Sequence, residues 1–98
     1  MKEYIIHGSR IKTINDFLKL AENVFSYTFL EDSDLEDFAV FAKANLEVPS
    51  IIIWKDSGNS HRALGYDYGK IIDSFPFHIA KSRSGEIIAE KSIFVSLR

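Results

Sequence analysis

The residues best placed to do chemistry are five carboxylates within seven positions: Glu31, Asp32, Asp34, Glu36 and Asp37. Paired carboxylates serve acid–base catalysis when one of them is held in a dry pocket. A cluster this dense at the start of a helix reads as wet. Its alternative use is electrostatic, since such a block repels nucleic-acid phosphates and attracts a basic partner. Acidic residues also stabilise the positive end of a helix dipole. Three acids would satisfy that need, and five in seven exceed it.

Other catalytic signatures are missing from the sequence. His7, His61 and His78 lie far apart, with no second metal-ligand type at a recognised offset. The stretch Gly65-Tyr66-Asp67-Tyr68-Gly69-Lys70 superficially resembles a phosphate loop. It lacks the two glycines flanking four residues and the Lys-Ser/Thr pair that would hold phosphate and magnesium. No Gly-x-Ser-x-Gly elbow and no dinucleotide fingerprint after a strand is found. Zero cysteines exclude disulfides, a thiol nucleophile and thiolate metal sites. The expectation is therefore a non-enzyme without metal or cofactor; an enzyme using His61 and Asp67 around Gly65–Gly69 is the minor reading. Nucleic-acid binding would need basic residues interleaved with aromatics. The candidates Lys81, Arg83, Lys91 and Arg98 are scattered among Glu86 and Glu90 and read as solvated. Trp54, ending the most apolar run, reads as core rather than as a ligand platform.

The charge is unevenly spread. Residues 1–20 carry four Lys/Arg against two Asp/Glu, and residues 51–98 carry seven against five, so each part is +2. Residues 21–50 hold Lys43 alone against Glu22, Glu31, Asp32, Asp34, Glu36, Asp37 and Glu47, a balance of −6. The overall net charge of −2 conceals this contrast. A length of 98 residues suits one domain with a single core. The hydrophobic share of 46% and mean hydropathy of −0.05 are those of a soluble globule. No apolar run approaches the roughly 18 residues of a membrane helix. No signal peptide is visible after Met1, and the cytoplasm is the expected location for a small cysteine-free chain.

Periodicity supplies the elements that must hold the acids. Tyr4-Ile5-Ile6 is a short strand closed by a turn at His7-Gly8. Thr13-Ile14-Asn15-Asp16 fits a helix start. It is followed by an apolar face of Ile14, Phe17, Leu18, Ala21, Val24 and Phe25. A second helix is expected to begin at Ser33, capped by its hydroxyl, with Glu36 reaching back to its amide. Its face reads Leu35, Phe38, Ala39, Ala42 and Leu46. Pro49 precludes helix, and the β-branched run Ser50–Trp54 suits a strand covered on both faces. Lys55–Asn59 reads as a turn or loop, and Ser60 as the cap of one short turn, His61–Leu64, ended by Gly65. Tyr68, Ile71, Ile72 and Phe75 form a third helical face, stopped or kinked at Pro76. Between residues 77 and 92 the sequence permits a hairpin without requiring one. Ile93, Val95 and Leu97 alternate along a last strand. The order β-α-α-β-α-β predicts an α/β fold, a small three-stranded parallel sheet flanked by helices with right-handed crossovers.

This order resembles the barstar-like family of ribonuclease inhibitors and bacterial toxin immunity proteins over nearly the full chain. The likeness begins with Tyr4-Ile5-Ile6-His7-Gly8 and the Thr13–Phe17 helix start. It continues through the acidic Asp34-Leu35-Glu36-Asp37-Phe38 and the proline-led strand Pro49–Trp54. Lys55-Asp56-Ser57, Ser60 and Ala63-Leu64-Gly65 are similar to a motif of some branches, and Ile93–Leu97 ends the chain as in the family. Two departures accompany it. Close members of the family place an aromatic-Gly pair before helix 2, where this chain has Leu30-Glu31-Asp32. They also carry two aspartates one turn apart; here Glu36 takes the first position and Val40 the second. Close charge pairs in a nuclease–inhibitor interface couple by roughly 1.5–7 kcal/mol, so the loss of one acid forbids carrying over the family's familiar nuclease.

The resemblance implies an inhibitor, monomeric in a 1:1 complex with a basic bacterial ribonuclease or ribonuclease toxin domain, its carboxylates standing in for phosphates. Glu31, Asp32, Asp34, Glu36 and Asp37 are the expected contacts, with Phe29 as the flanking aromatic. No nucleic acid or membrane partner is expected. The other open reading is a non-enzymatic interaction domain that binds a non-nuclease protein.

Overall fold

The strand Ser50–Lys55 (β2) is apolar at four successive positions and is buried almost throughout, which places it inside a sheet rather than at an edge. The computed structural model describes residues 2–75, 80–81, 87–88 and 93–98. In it, Lys2–His7 (β1) and Ile93–Leu97 (β5) pair with β2 on either side, both parallel to it. Register runs Tyr4 to Ile52 to Val95 and Ile6 to Trp54 to Leu97. The expected three-stranded parallel α/β architecture is present.

Four helices fill the crossovers: Ile14–Phe25 (α1), Leu35–Asn45 (α2), Ser57–Leu64 (α3) and Tyr66–Asp73 (α4). Successive side chains on a strand point to opposite faces. The face carrying Tyr4, Ile6, Ile52, Trp54, Ile93 and Val95 joins the apolar stripes of the helices in one core. Strands adjacent in order and linked by right-handed crossovers put their helices on one face, as this shared core requires. Phe17 sits at its centre, stacked on Trp54 at 6.0 Å and edge-on to Phe38 at 5.0 Å. The expected α4 face is also found, with Ile71 and Phe75 fully buried.

Within residues 77–92, Ala80–Lys81 (β3) and Ile87–Ile88 (β4) pair antiparallel, so the permitted hairpin is formed there. Its connecting residues, Pro76 and His78 lie outside the described residues. No helix among the described residues is long and apolar enough to cross a membrane.

Local chemistry moved two of the expected boundaries. Ser33 does not cap α2; its amide closes a turn onto the Leu30 carbonyl at 3.0 Å. The cap is Asp34, whose Oδ1 accepts from the Asp37 amide at 3.0 Å, while Asp37 Oδ2 accepts from the Asp34 amide at 2.9 Å. A carboxylate is a stronger acceptor than a hydroxyl and also favours the helix dipole, so the box formed one residue later with Asp37 rather than Glu36. Likewise α3 begins at Ser57 inside the expected loop, and Ser60 is a buried residue of that helix, not its cap.

Ser60 does something else. Its hydroxyl accepts from Trp54 Nε1 at 2.9 Å and donates to the Gly8 carbonyl at 2.7 Å. Any Cβ at residue 8 would collide with Ser60 Oγ, Trp54 Nε1 and the Lys55 carbonyl, so glycine is the residue this close approach allows. Gly8, Trp54 and Ser60 thus form a buried clasp between the ends of β1 and β2 and helix α3. The last residue is tied to the same region: the Arg98 amide donates to the Trp54 carbonyl, and Ser57 donates from amide and hydroxyl to the Arg98 carbonyl.

Candidate protein-binding surface

The acidic residues are presented by the connector from α1 to α2 and by the first turn of α2. The connector is short and closely held. Ser26 ends α1 in the left-handed conformation at φ 54°. The Tyr27 amide then donates to the Glu22 carbonyl at 3.1 Å, and the Phe29 amide to Glu22 Oε1 at 3.2 Å. Glu22 belongs to the acidic segment in composition, yet its carboxylate anchors the connector. The turn Leu30–Ser33 follows, and the reciprocal Asp34–Asp37 box fixes where the helix starts.

This geometry divides the five carboxylates into two groups. Asp34 and Asp37 are exposed but spend an oxygen each on backbone amides. Glu31, Asp32 and Glu36 are exposed with no hydrogen-bond or ion-pair partner among the described residues. They also face different ways. Asp37 lines a groove between α2 and the connector, and Glu31 a smaller one between the connector and α1. Glu36 borders a shallow groove toward Lys70 and Asp73 of α4. The acids therefore ring the N-terminal end of α2 instead of forming one flat patch. No Lys or Arg occurs from residue 27 to residue 42; the cations nearest these acids come from neighbouring helices, Lys19 in the groove of Glu31 and Lys70 in that of Glu36.

Phe29, expected as a flanking contact, is turned largely inward and reaches the surface only at the walls of the two grooves beside the connector. It is only 9% exposed and packs against Tyr27, Phe38 and Phe41 at 5.0–6.0 Å between ring centres. A flanking aromatic whose amide is tied to Glu22 turned inward to complete the core, so it supports the surface from beneath. The exposed apolar side chains beside it are Tyr27 at 45%, Leu30 at 78% and Val40 at 72%. These three residues line the groove of about 500 Å³ that Asp37 borders, with Phe41 among its other walls. Leu30 and Val40 entered the sequence reading only as departures from the family pattern, and Tyr27 not at all. Val40 falls off the buried stripe of α2, which the structure places on Phe38, Phe41 and Ala42. An apolar residue out of phase with its own helix was the available signal. For Leu30, between a buried phenylalanine and an acidic turn, there was none.

The residues weighed for catalysis do not assemble. His61 is exposed and stacks on Tyr68 at 4.6 Å, whereas Asp67 pairs with Lys70 at 3.8 Å. Among the described residues, no three His, Asp or Glu side chains converge as metal ligands. Trp54 is fully buried and held by Ser60, in the core as expected. The sequence matches no protein-family model and no curated protein.

Proposed function

We propose that this chain is a stoichiometric protein inhibitor, an immunity protein that covers the active-site cleft of a basic bacterial ribonuclease toxin with the N-terminal end of α2 and its preceding turn. One observation carries the reading: Glu31 and Asp32 on the preceding turn and Glu36 on the capped first turn of α2 stand exposed with no hydrogen-bond or ion-pair partner among the described residues, and no cation occurs from residue 27 to residue 42. A cleft built to bind RNA phosphates presents Lys and Arg, and carboxylates carried on a hydrogen-bonded turn and a capped helix start complement its charge. The three-stranded parallel sheet with its helices on one face is compatible with the barstar-like order of elements on which the expectation rests. Action is in the cytoplasm, as a monomer in a 1:1 complex.

The second reading, an interaction domain for a non-nuclease protein, is favoured by Leu30 and Val40. Their exposed aliphatic side chains lie next to the acids, and a purely phosphate-mimicking surface has no use for them. Both readings are tested by adding the chain to the ribonuclease-like product of a neighbouring reading frame and following RNA cleavage. Full inhibition at one equivalent supports the inhibitor. Complex formation with a neighbouring protein that cleaves no RNA supports the second reading.

A further inference from the structure

We infer that the groove between α2 and the connector is an anchoring site for one bulky apolar side chain of a protein partner, flanked on that partner by lysine or arginine. This inference rests on the reading of this face as a protein-binding surface and adds the chemistry of what it holds.

Three observations point there. The groove, about 500 Å³, lies within the usual range for side-chain and ligand pockets, and its apolar walls include Leu30 and Val40, exposed by 78% and 72%. Neither residue has a place in the core. Its floor is packed: Phe41 and Phe29 meet edge to face at 5.7 Å, Tyr27 lies against Phe41 at 4.2 Å, and Glu22 holds the connector. A preformed pocket loses little entropy on binding. Its charge is one-sided, because Asp37 is the one charged residue among its walls and Glu31 and Asp32 lie on the adjacent turn, while Lys43 of α2 is not among the wall residues. An apolar anchor inside a charged rim is the usual anatomy of an interface hot spot. Here the rim is anionic, so the residues beside the partner's anchor must be cationic.

The test uses the full ¹⁵N-labelled chain and three capped pentapeptides: Lys-Lys-Trp-Lys-Lys, Lys-Lys-Ala-Lys-Lys and Glu-Glu-Trp-Glu-Glu. The cationic tryptophan peptide is expected to give saturable amide shifts confined to residues 27–33 and 37–45. The alanine peptide should bind about tenfold more weakly, the scale of burying one large apolar side chain. The glutamate peptide should give no saturable shift. The Val40→Glu variant, at an exposed position, adds an anion while removing apolar wall. It should weaken the tryptophan peptide about tenfold, whereas binding by charge alone would tighten. The inference is overturned if the tryptophan peptide gives no saturable shift in the groove, if the alanine peptide binds equally well, or if Val40→Glu binds more tightly. Concentration-dependent shifts of the same amides without peptide would overturn it in favour of a second copy of this chain. Groove binding without inhibition of any ribonuclease refutes the nuclease reading alone. Ribonuclease inhibition without groove binding refutes this inference alone.

Discussion

Replacing Ser60 by alanine should destabilise the fold by about 2–4 kcal/mol without touching the acidic face. Ser60 Oγ joins two buried groups, the Trp54 indole N–H and the Gly8 carbonyl. The carbonyl keeps a second donor after the change, the Ile11 amide at 3.1 Å. Trp54 Nε1, on a fully buried side chain, loses the partner it has. An orphaned buried donor costs roughly 1–3 kcal/mol, and the lost bond to Gly8 adds roughly 1 kcal/mol. For a domain of this size that corresponds to a Tm lower by about 10–20 °C. Urea denaturation followed by far-UV circular dichroism measures the loss. Trp54→Phe supplies the other arm of a double-mutant cycle, since it removes the donor. In that background Ser60→Ala should cost only about 1 kcal/mol. A cost below about 0.5 kcal/mol in the natural background would show that the clasp does not bear on stability, and equal costs in both would show that the Trp54–Ser60 bond does not contribute.

The site's own supports can be probed in the same way. Asp34→Ala removes one half of the capping box and should cost about 1 kcal/mol, with faster hydrogen exchange at the Asp37 amide; Asp34→Ser should recover most of it. Glu22→Gln keeps an acceptor for the Phe29 amide, whereas Glu22→Ala removes it and should cost about 1 kcal/mol. Exchange protection at Phe29 should fall in the alanine variant alone. Association with a ribonuclease should slow as salt is raised from about 0.01 to about 1 M, because the Debye length shrinks from about 30 Å to about 3 Å. A rate insensitive to salt would remove steering by the acidic end of α2.

The sheet was legible because its signals are one-dimensional. The apolar run Ser50–Trp54 and the alternation at Ile93–Leu97 required a covered central strand and a half-buried neighbour, and both pair as their patterns demand. Thr13 caps α1 as its spacing implies, accepting from the Asp16 amide. The start of α2 was not legible to the residue, because Ser33 and Asp34 are both competent caps and the turn onto Leu30 decided between them. Nor was the role of Ser60, which depends on Gly8 lying beside it in space from 52 positions away. Gly8, Trp54 and Ser60 carry part of the resemblance to the barstar-like order, and their meeting in a buried clasp accounts for that part by packing. The acidic residues were visible as a charge excess, but their division into bonded and free carboxylates was not. That division changes which substitutions are informative: Asp37→Lys would break the cap as well as the surface.

The most direct measurement is therefore RNA cleavage by a basic bacterial ribonuclease that the chain binds, titrated with the natural chain and with the triple variant Glu31→Lys/Asp32→Lys/Glu36→Lys. These three carboxylates are exposed and accept no hydrogen bond among the described residues, and the dipole contribution lost with Glu36 in the first turn of α2 is only about 0.3–1 kcal/mol, so the variant should fold with an unchanged dichroism spectrum. The natural chain should abolish cleavage at one equivalent, and the variant should leave it intact at a tenfold excess. Equal inhibition by a folded variant would contradict the acidic surface as the inhibitory one.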